Sequence, residues 1–300
     1  MGDKSILLVG DNPFHGVSHL SQERATLRGS NPTDPSYAAR LVLSSVECGA
    51  DGFMFTSSET TLSILREIGR DQQGVPLQLY ALAPNVTDFV RSAAKAGGVP
   101  GLARNLAKEV VRSANVEAIV AGAMGITLND PGALLRGLLS YEVSRIRSAM
   151  GSRLSLVSIL LHEVLTDMAI ALNMDWLFAT HVNFVRKLGL KPGFETRNFV
   201  WLTKKLEDCG IDLSGVVIAA PFNAIGFQMC PSKAACEEAL SKASQADVIA
   251  FSIMAAGYLD LPEAADYVAS LPSLRGTAIG VSTMQQATET FTFLKARFVG

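Results

Sequence analysis

Apolar strands, polar loops and amphipathic helices alternate regularly in the last third of the chain. Three continuous runs of Val, Ile and Ala are typical of parallel strands covered on both faces, and they span Gly215–Ala220, Asp247–Ile253 and Thr277–Val281. Helices with one apolar face fit between them, and each strand-plus-helix unit takes about 30 residues. This repeat predicts an α/β protein with a (β/α)8 barrel, in which chemistry takes place at the loops that follow the carboxyl ends of the strands.

The same alternation extends through the first two thirds of the chain, with one weak stretch. Further strands are predicted at Ile6–Gly10, Gly52–Thr56, Leu77–Ala83, Leu154–Leu161 and Lys191–Thr196. Residues 98–150 are predicted to contain a helical excursion, within which Glu117–Ala121 is either a ninth strand or part of a helix. No stretch has the composition of a linker, so residues 1–300 are expected to form one barrel domain.

Composition narrows the expected partners to small molecules. Hydrophobic residues make up 48% of the chain and charged residues 18%, which is ample material for a core. The formal net charge of −2 and the lack of a Lys/Arg cluster argue against nucleic acid as a partner.

The first residues do not resemble a signal peptide, and the longest apolar stretch, Ala118–Leu128, is too short to span a membrane. The four cysteines show no Cys-x-x-Cys spacing, so we expect a cytoplasmic protein with reduced thiols. The sequence is compatible with a homo-oligomer as well as with a monomer.

Four segments of the second half resemble the aldo/keto reductase superfamily in order and spacing. Ala250–Leu259 is similar to the seventh strand of that family, and Ile279–Thr283 is similar to its eighth strand and cofactor-phosphate loop. Arg197-Asn198-Phe199 resembles its Ser-Asn-Phe, and Leu160-Leu161-His162 matches the strand-four ending that supplies the family's histidine. The resemblance implies a TIM barrel. It also implies that Glu117–Ala121 is not a barrel strand, because a ninth strand would break the match.

The catalytic groups of that family are largely missing. The resemblance implies hydride transfer from NADPH with an Asp-Tyr-Lys-His tetrad, in which the tyrosine donates the proton. Phe55 stands at the aspartate position, no tyrosine follows it, and the third strand ends Ala81-Leu82-Ala83 without a lysine. Only His162 is retained. We therefore expect the fold without ordinary tyrosine-dependent reduction, because no cation is in place to lower the pKa of a tyrosine.

The cofactor positions of the family are retained in part. The resemblance implies that Phe251 stacks on a nicotinamide, that Asn198 contacts its carboxamide and that Ser282 belongs to the loop that holds the cofactor phosphate. Ala219 replaces the usual glutamine, and residues 282–287 contain no Lys or Arg to hold a 2′-phosphate. We therefore expect an active site that does not use NADPH more than one that does.

Polar side chains concentrate where the predicted strands end, although charged residues are scarce in this chain. Active sites of such barrels lie at the carboxyl ends of the strands, so five of these residues are candidates for catalysis: Asp11, His15, Glu59, His162 and Glu195. Seven more residues are candidates for binding a substrate or cofactor: Asn12, Arg197, Asn198, Asn223, Gln228, Phe251 and Ser282.

The candidates also have structural explanations. Asp11 could serve the turn after the first strand, and Glu59 could cap the helix after the second. Glu195 would be costly to bury alone, so a structural ion pair with Arg197 is an alternative to catalysis. Glu163 could point away from the active site, because successive strand residues face opposite sides.

Two kinds of chemistry fit this set of residues. His15, His162 and Glu59 could hold a divalent metal such as Mn, Fe, Zn or Mg, although no His-x-His or His-Glu-x-x-His spacing is present. Without a metal, Glu59 or Glu195 could act as base and His162 as acid. Both versions lead to carbonyl chemistry of the lyase or isomerase kind. Two alternatives stay open: an NAD(P)-dependent oxidoreductase with a relocated proton donor, and a non-catalytic binding barrel whose polar residues would be scattered in space.

Overall fold

The barrel prediction is confirmed by the computed structural model, which describes residues 5–16, 31–70, 76–85, 91, 94, 95, 97 and 130–299. Eight strands close into a barrel in sequence order, and every neighbouring pair is parallel. The strands are β1 (Ile6–Gly10), β2 (Gly52–Thr56), β3 (Leu77–Ala83), β4 (Leu154–Leu161), β5 (Lys191–Glu195), β6 (Val217–Pro221), β7 (Asp247–Phe251) and β8 (Leu274–Ile279). The alternative strand at Glu117–Ala121 lies outside the described residues, and the single-domain interpretation stays a prediction.

Nine α-helices lie in the described part of the chain. They are α1 (Pro35–Glu47), α2 (Glu59–Arg70), α3 (Pro131–Ala149), α4 (Glu163–Ala171), α5 (Asp175–Lys187), α6 (Phe199–Asp208), α7 (Lys233–Lys242), α8 (Leu261–Ala269) and α9 (Met284–Val299). The side chains of Asp34, Asp130 and Ser232 each accept a hydrogen bond from a backbone N–H in the first turn of the helix that follows, which explains where α1, α3 and α7 begin. Within these described ranges, no helix has both the length and the apolar character that crossing a membrane requires.

The strand ends differ from the predicted ones by a few residues. The seventh strand ends at Phe251 instead of Ile253, because Ser252 has a φ of 52° and this left-handed conformation ends the extended backbone. The eighth strand begins at Leu274, ahead of the predicted Thr277, because Leu274 already pairs with Val248 of β7.

Alternation along the strands decides which side chains face the inside of the barrel. The interior is filled by Leu8, Met54, Tyr80, Leu82, Leu160, Val217, Ala219, Ile249 and Ala278. His162 follows Leu160 by two residues, and because its backbone is still extended just beyond β4 it faces the same side. The inward position of β5 is Gly193, where a Cβ would lie 2.7 Å from Leu160 Cγ, and Glu195 comes two residues later. The period of the strands thus brings His162 and Glu195 to the inner rim.

Candidate active site

A cavity of about 440 Å³ opens at the carboxyl ends of the strands. Its polar wall contains Asp11, Asn12, Thr56, His162, Glu163, Glu195, Arg197 and Ser252, and its apolar wall includes Met54, Leu82, Phe251, Ile253 and Met254. Six of the twelve candidates from the sequence line this cavity: Asp11, Asn12, His162, Glu195, Arg197 and Phe251. The volume is suited to a small molecule, and its charged groups come mainly from β1, β4 and β5.

Glu195 lies at the end of β5, among other charged groups of the cavity wall. Its Oε2 accepts a hydrogen bond of 3.2 Å from the backbone N–H of Glu163. Burial raises the pKa of Glu195 to about 8, and the nearby carboxylates of Glu163 and Asp11 add to this effect, against Arg197 and the backbone hydrogen bond, which lower it. Glu195 therefore changes its protonation near neutral pH, where an ordinary glutamate is fully ionised.

His162 is the first residue before α4 and caps this helix. Its Nδ1 accepts a hydrogen bond of 3.3 Å from the backbone N–H of Val164, so the neutral ring carries its proton on Nε2. Burial lowers the pKa of His162; the Asp11 carboxylate opposes this shift and Arg197 adds to it. His162 is thus held as a neutral hydrogen-bond donor at the cavity wall.

Asp11 joins the ends of β1 and β2 at the cavity. Its side chain is nearly buried, and Oδ2 accepts hydrogen bonds from the Thr56 N–H at 2.7 Å and from His15 Nε2 at 3.0 Å. His15 lies behind Asp11, outside the cavity wall, on a short 3-10 turn whose Phe14 packs against Phe53. His15 consequently contacts the site through Asp11 instead of facing a ligand.

The expected ion pair between Glu195 and Arg197 is replaced by a different one. Arg197 Nε lies 3.0 Å from Oε2 of Glu163, a residue that strand alternation would have turned away from the cavity. Alternation does not apply there, because β4 ends at Leu161 and α4 begins at Glu163. Burial raises the pKa of Glu163, with Arg197 lowering it and Asp167 raising it. Thr56 and Ser252 are further wall residues that are not among the twelve candidates from the sequence.

Glu59 is the clearest correction to the sequence-based site. It is the first residue of α2, its side chain is 76% exposed, and it pairs with Arg145 of α3. It does not line the cavity. Because Glu59 begins a helix, its side chain no longer follows the inward direction of β2. Its closeness to the end of β2 along the sequence therefore does not bring it to the rim of the barrel.

Four candidates for ligand binding also lie outside the cavity wall. Asn223 is fully buried and organises its own loop: Nδ2 donates to the Phe227 carbonyl at 2.8 Å, and Oδ1 accepts from the Phe227 N–H at 2.7 Å. Gln228, in the same loop, has a φ of 60° and does not reach the wall. Asn198 and Ser282 are absent from the wall as well, so these four predictions of direct contact are not supported.

The suggested metal set is not assembled. Glu59 pairs with Arg145, and His162 uses Nδ1 to cap α4, so these two do not meet His15 around a common point. Among the residues that the structure describes, no group of three or more His, Cys, Asp or Glu side chains is arranged to hold a metal ion. A metal site made by His15, His162 and Glu59 is therefore not supported by this arrangement.

Several solved structures share this fold. Two proteins from Pseudomonas aeruginosa, both assigned as aldo-keto reductases, superpose with TM-scores of 0.57 and 0.58 at 12% and 13% sequence identity, each over 98% of this chain and 91% of the other. The holo form of an aldo-keto reductase from Bacillus halodurans gives 0.54 at 11% identity, over 96% of this chain and 86% of the other. The chain has the fold of the aldo-keto reductases. No protein-family model matches it, and no curated protein is significantly similar in sequence.

The fold of the aldo-keto reductases raises the question of whether NADPH fits this chain. Phe251 lines the cavity and is available to stack on a nicotinamide. Asn198, however, lies off the wall, and the Ser282 N–H donates to Gln286 Oε1 at 3.0 Å within its own loop. Residues 282–287 contain no Lys or Arg. These residues therefore do not fit an NADPH site of that kind.

Proposed function

We propose that this barrel is an enzyme that moves a proton on a small carbonyl compound, of the isomerase or lyase kind, without tyrosine-dependent reduction. One observation supports this most directly: Glu195 and His162 come from adjacent strands, line the same cavity and are held in complementary protonation states. Glu195 can take up or release a proton near neutral pH, while His162 keeps a neutral N–H.

In this proposal Glu195 is the base. Its carboxylate removes the proton from the carbon next to the carbonyl group; the electron pair of that C–H bond forms a double bond to the carbonyl carbon, and the π pair of the C=O bond moves onto the oxygen. His162 donates its Nε2–H to the oxygen as negative charge develops there. The neutral Glu195 then returns its proton to the same carbon, which restores the carbonyl compound; where that carbon carries a hydroxyl group, the proton can instead go to the former carbonyl carbon while the hydroxyl proton moves to the enolate oxygen, which shifts the carbonyl group by one carbon. Asp11 favours the protonated form of Glu195 by its negative charge, which makes the carboxylate a stronger base.

The other two hypotheses receive less support. A binding barrel without activity predicts scattered polar residues, whereas four of the charged or titratable candidates share one wall: Asp11, His162, Glu195 and Arg197. An oxidoreductase with a relocated proton donor would need a cofactor site, and the β8–α9 loop does not fit one.

Deuterium exchange tests the proposal without knowledge of the natural substrate. The protein is incubated in D2O near pH 8 with pyruvate, hydroxyacetone and dihydroxyacetone, and deuterium at the carbon next to the carbonyl is followed by NMR. We expect the wild type to accelerate exchange in at least one compound and Glu195→Gln to lose roughly 10²- to 10⁴-fold of that rate, the usual contribution of a positioned base.

The matched control is Glu238→Gln, because Glu238 is an exposed residue of α7 that pairs with Lys242. It should exchange at the wild-type rate. No acceleration with any of the three compounds, or equal rates for the wild type and Glu195→Gln, would contradict the proposed function.

A further inference from the structure

Arg197 has hydrogen-bonding capacity that the protein does not use. Only its Nε faces a carboxylate, that of Glu163 at 3.0 Å, and its backbone N–H faces Asp167 Oδ2 at 3.4 Å. Neither of its terminal amino groups makes a hydrogen bond to any of the described residues, although the side chain lines the cavity. The two terminal groups of a guanidinium form a planar fork that matches the two oxygens of a carboxylate.

The ion pair with Glu163 uses only one side of the guanidinium. Glu163 is the first residue of α4, and its Oε2 lies 3.0 Å from Nε without hydrogen-bonding geometry, so the contact is electrostatic. The terminal amino groups of Arg197 therefore remain available to a ligand in the cavity.

We propose that Arg197 binds the carboxylate of the substrate, so that the ligands of this cavity are small monocarboxylic acids with a carbonyl group within reach of His162 and Glu195. This inference rests on the proposed function and adds the class of substrate to it. Among the described residues of the wall, Arg197 is the single cation, and neighbouring Asp11, Glu163 and Glu195 can each carry a negative charge.

The charges of the wall favour a monoanion over a dianion. One carboxylate can be balanced by Arg197, whereas a phosphate ester would bring a second negative charge towards Asp11 and Glu163. In the part of the wall that the structure describes, there is no lysine and no second arginine that could share such a charge. Inorganic phosphate is therefore expected to bind much more weakly than a monocarboxylate.

The same charges make binding depend on pH. Glu195 is surrounded by Asp11 from the end of β1, His162 and Glu163 from the start of α4, and Arg197 on its own loop. Because a ligand carboxylate is repelled less when Glu195 is neutral, affinity should fall as the pH rises through about 8, where Glu195 loses its proton. Glu195→Gln should bind with little change over the same interval.

Calorimetric titration of the full chain with pyruvate, hydroxyacetone and inorganic phosphate tests the inference. We expect wild-type protein to bind pyruvate more tightly than the other two probes, and Arg197→Gln to weaken pyruvate binding about 10- to 100-fold, the effect of losing a two-pronged charged contact. Hydroxyacetone binding should be unchanged in the variant, and Arg197→Lys should restore only part of the affinity for pyruvate. Arg136→Gln is the control, since Arg136 pairs with exposed Asp130 at the start of α3.

The outcomes separate the inference from the proposed function. Pyruvate binding that depends on Arg197 supports the carboxylate site even if no deuterium exchange is found. Exchange in hydroxyacetone together with equal pyruvate affinity in wild type and Arg197→Gln keeps the proposed function and overturns the inference. Failure of pyruvate to bind the wild type at up to about 10 mM, or phosphate binding as tightly as pyruvate, also overturns it.

Discussion

Two clusters in this barrel contain an arginine between two glutamates, and they differ in how fully that arginine is used. In the α2–α3 cluster, Arg145 contacts both Glu59 and Glu142, and its guanidinium lies 5.4 Å from the ring of Tyr141. In the β4–β5 cluster, Arg197 meets only Glu163, while Glu195 takes a backbone N–H.

This difference in how the arginine is paired distinguishes a cluster that stabilises the fold, α2–α3, from one that can bind a ligand, β4–β5. Glu142 is buried and receives the hydroxyl of Ser57 at 2.5 Å as well as the Arg145 guanidinium at 3.1 Å. In the β4–β5 cluster, by contrast, the Arg197 guanidinium and the Glu195 carboxyl, whose pKa is raised to about 8, face a cavity. The same residue types therefore stabilise the fold in one place and remain available to a ligand in the other.

Removal of the two arginines should affect stability very differently. Arg145→Ala takes the cation away from Glu142, which is 2% exposed, and should lower the free energy of unfolding by about 3 kcal/mol, as expected for one member of a buried pair. Arg197→Ala should cost less than about 1 kcal/mol, because its ion pair faces an open cavity where water can replace it. Urea unfolding at pH 7 measures both. Equal losses would remove the distinction between the clusters.

Replacement of one glutamate in each cluster should change stability in opposite directions. The pKa of Glu195 is about 8 in the folded protein, against an unfolded value near 4.3, so the folded state holds an extra proton between these pH values. Wild-type stability therefore decreases as the pH rises through this interval, and the full cost is reached above pH 8. Glu195→Gln avoids that cost and should be more stable than the wild type by on the order of 2 kcal/mol at about pH 9.

The gain from Glu195→Gln should vanish near pH 4, where glutamate is protonated in both states. Glu142→Gln is the matched variant, and it should be destabilised by about 1 to 2 kcal/mol at pH 7 because a charged hydrogen bond to Arg145 is weakened. Unfolding curves measured from pH 4 to 9 show both effects. A stability of Glu195→Gln that stays below that of the wild type at high pH would mean that Glu195 is ionised and well paired.

Strand periodicity explains which part of this arrangement could be predicted from the sequence. The barrel follows from the apolar runs, and His162 and Glu195 follow from inward positions at strand ends. Glu59 was misplaced because helix α2 begins there, and its partner Arg145 lies 86 residues away along the chain, a distance that no local pattern bridges. Strand alternation would turn Glu163 away from the cavity, but β4 ends at Leu161, so alternation no longer applies at Glu163. Predictions from alternation hold while the backbone is extended and fail at the first residue of a helix.

Titration of His162 gives the smallest and most local test of the comparison. Arg197 lowers the pKa of His162 and Asp11 raises it, on top of the larger effect of burial. Arg197→Gln should therefore raise this pKa and Asp11→Asn should lower it, whereas Arg145→Gln should leave it unchanged because Arg145 belongs to the other cluster. Imidazole NMR signals followed against pH report all three, and the ¹⁵N shifts should place the proton on Nε2. A His162 titration that shifts with Arg145→Gln but not with Arg197→Gln would show that the β4–β5 cluster does not surround this imidazole as one electrostatic unit.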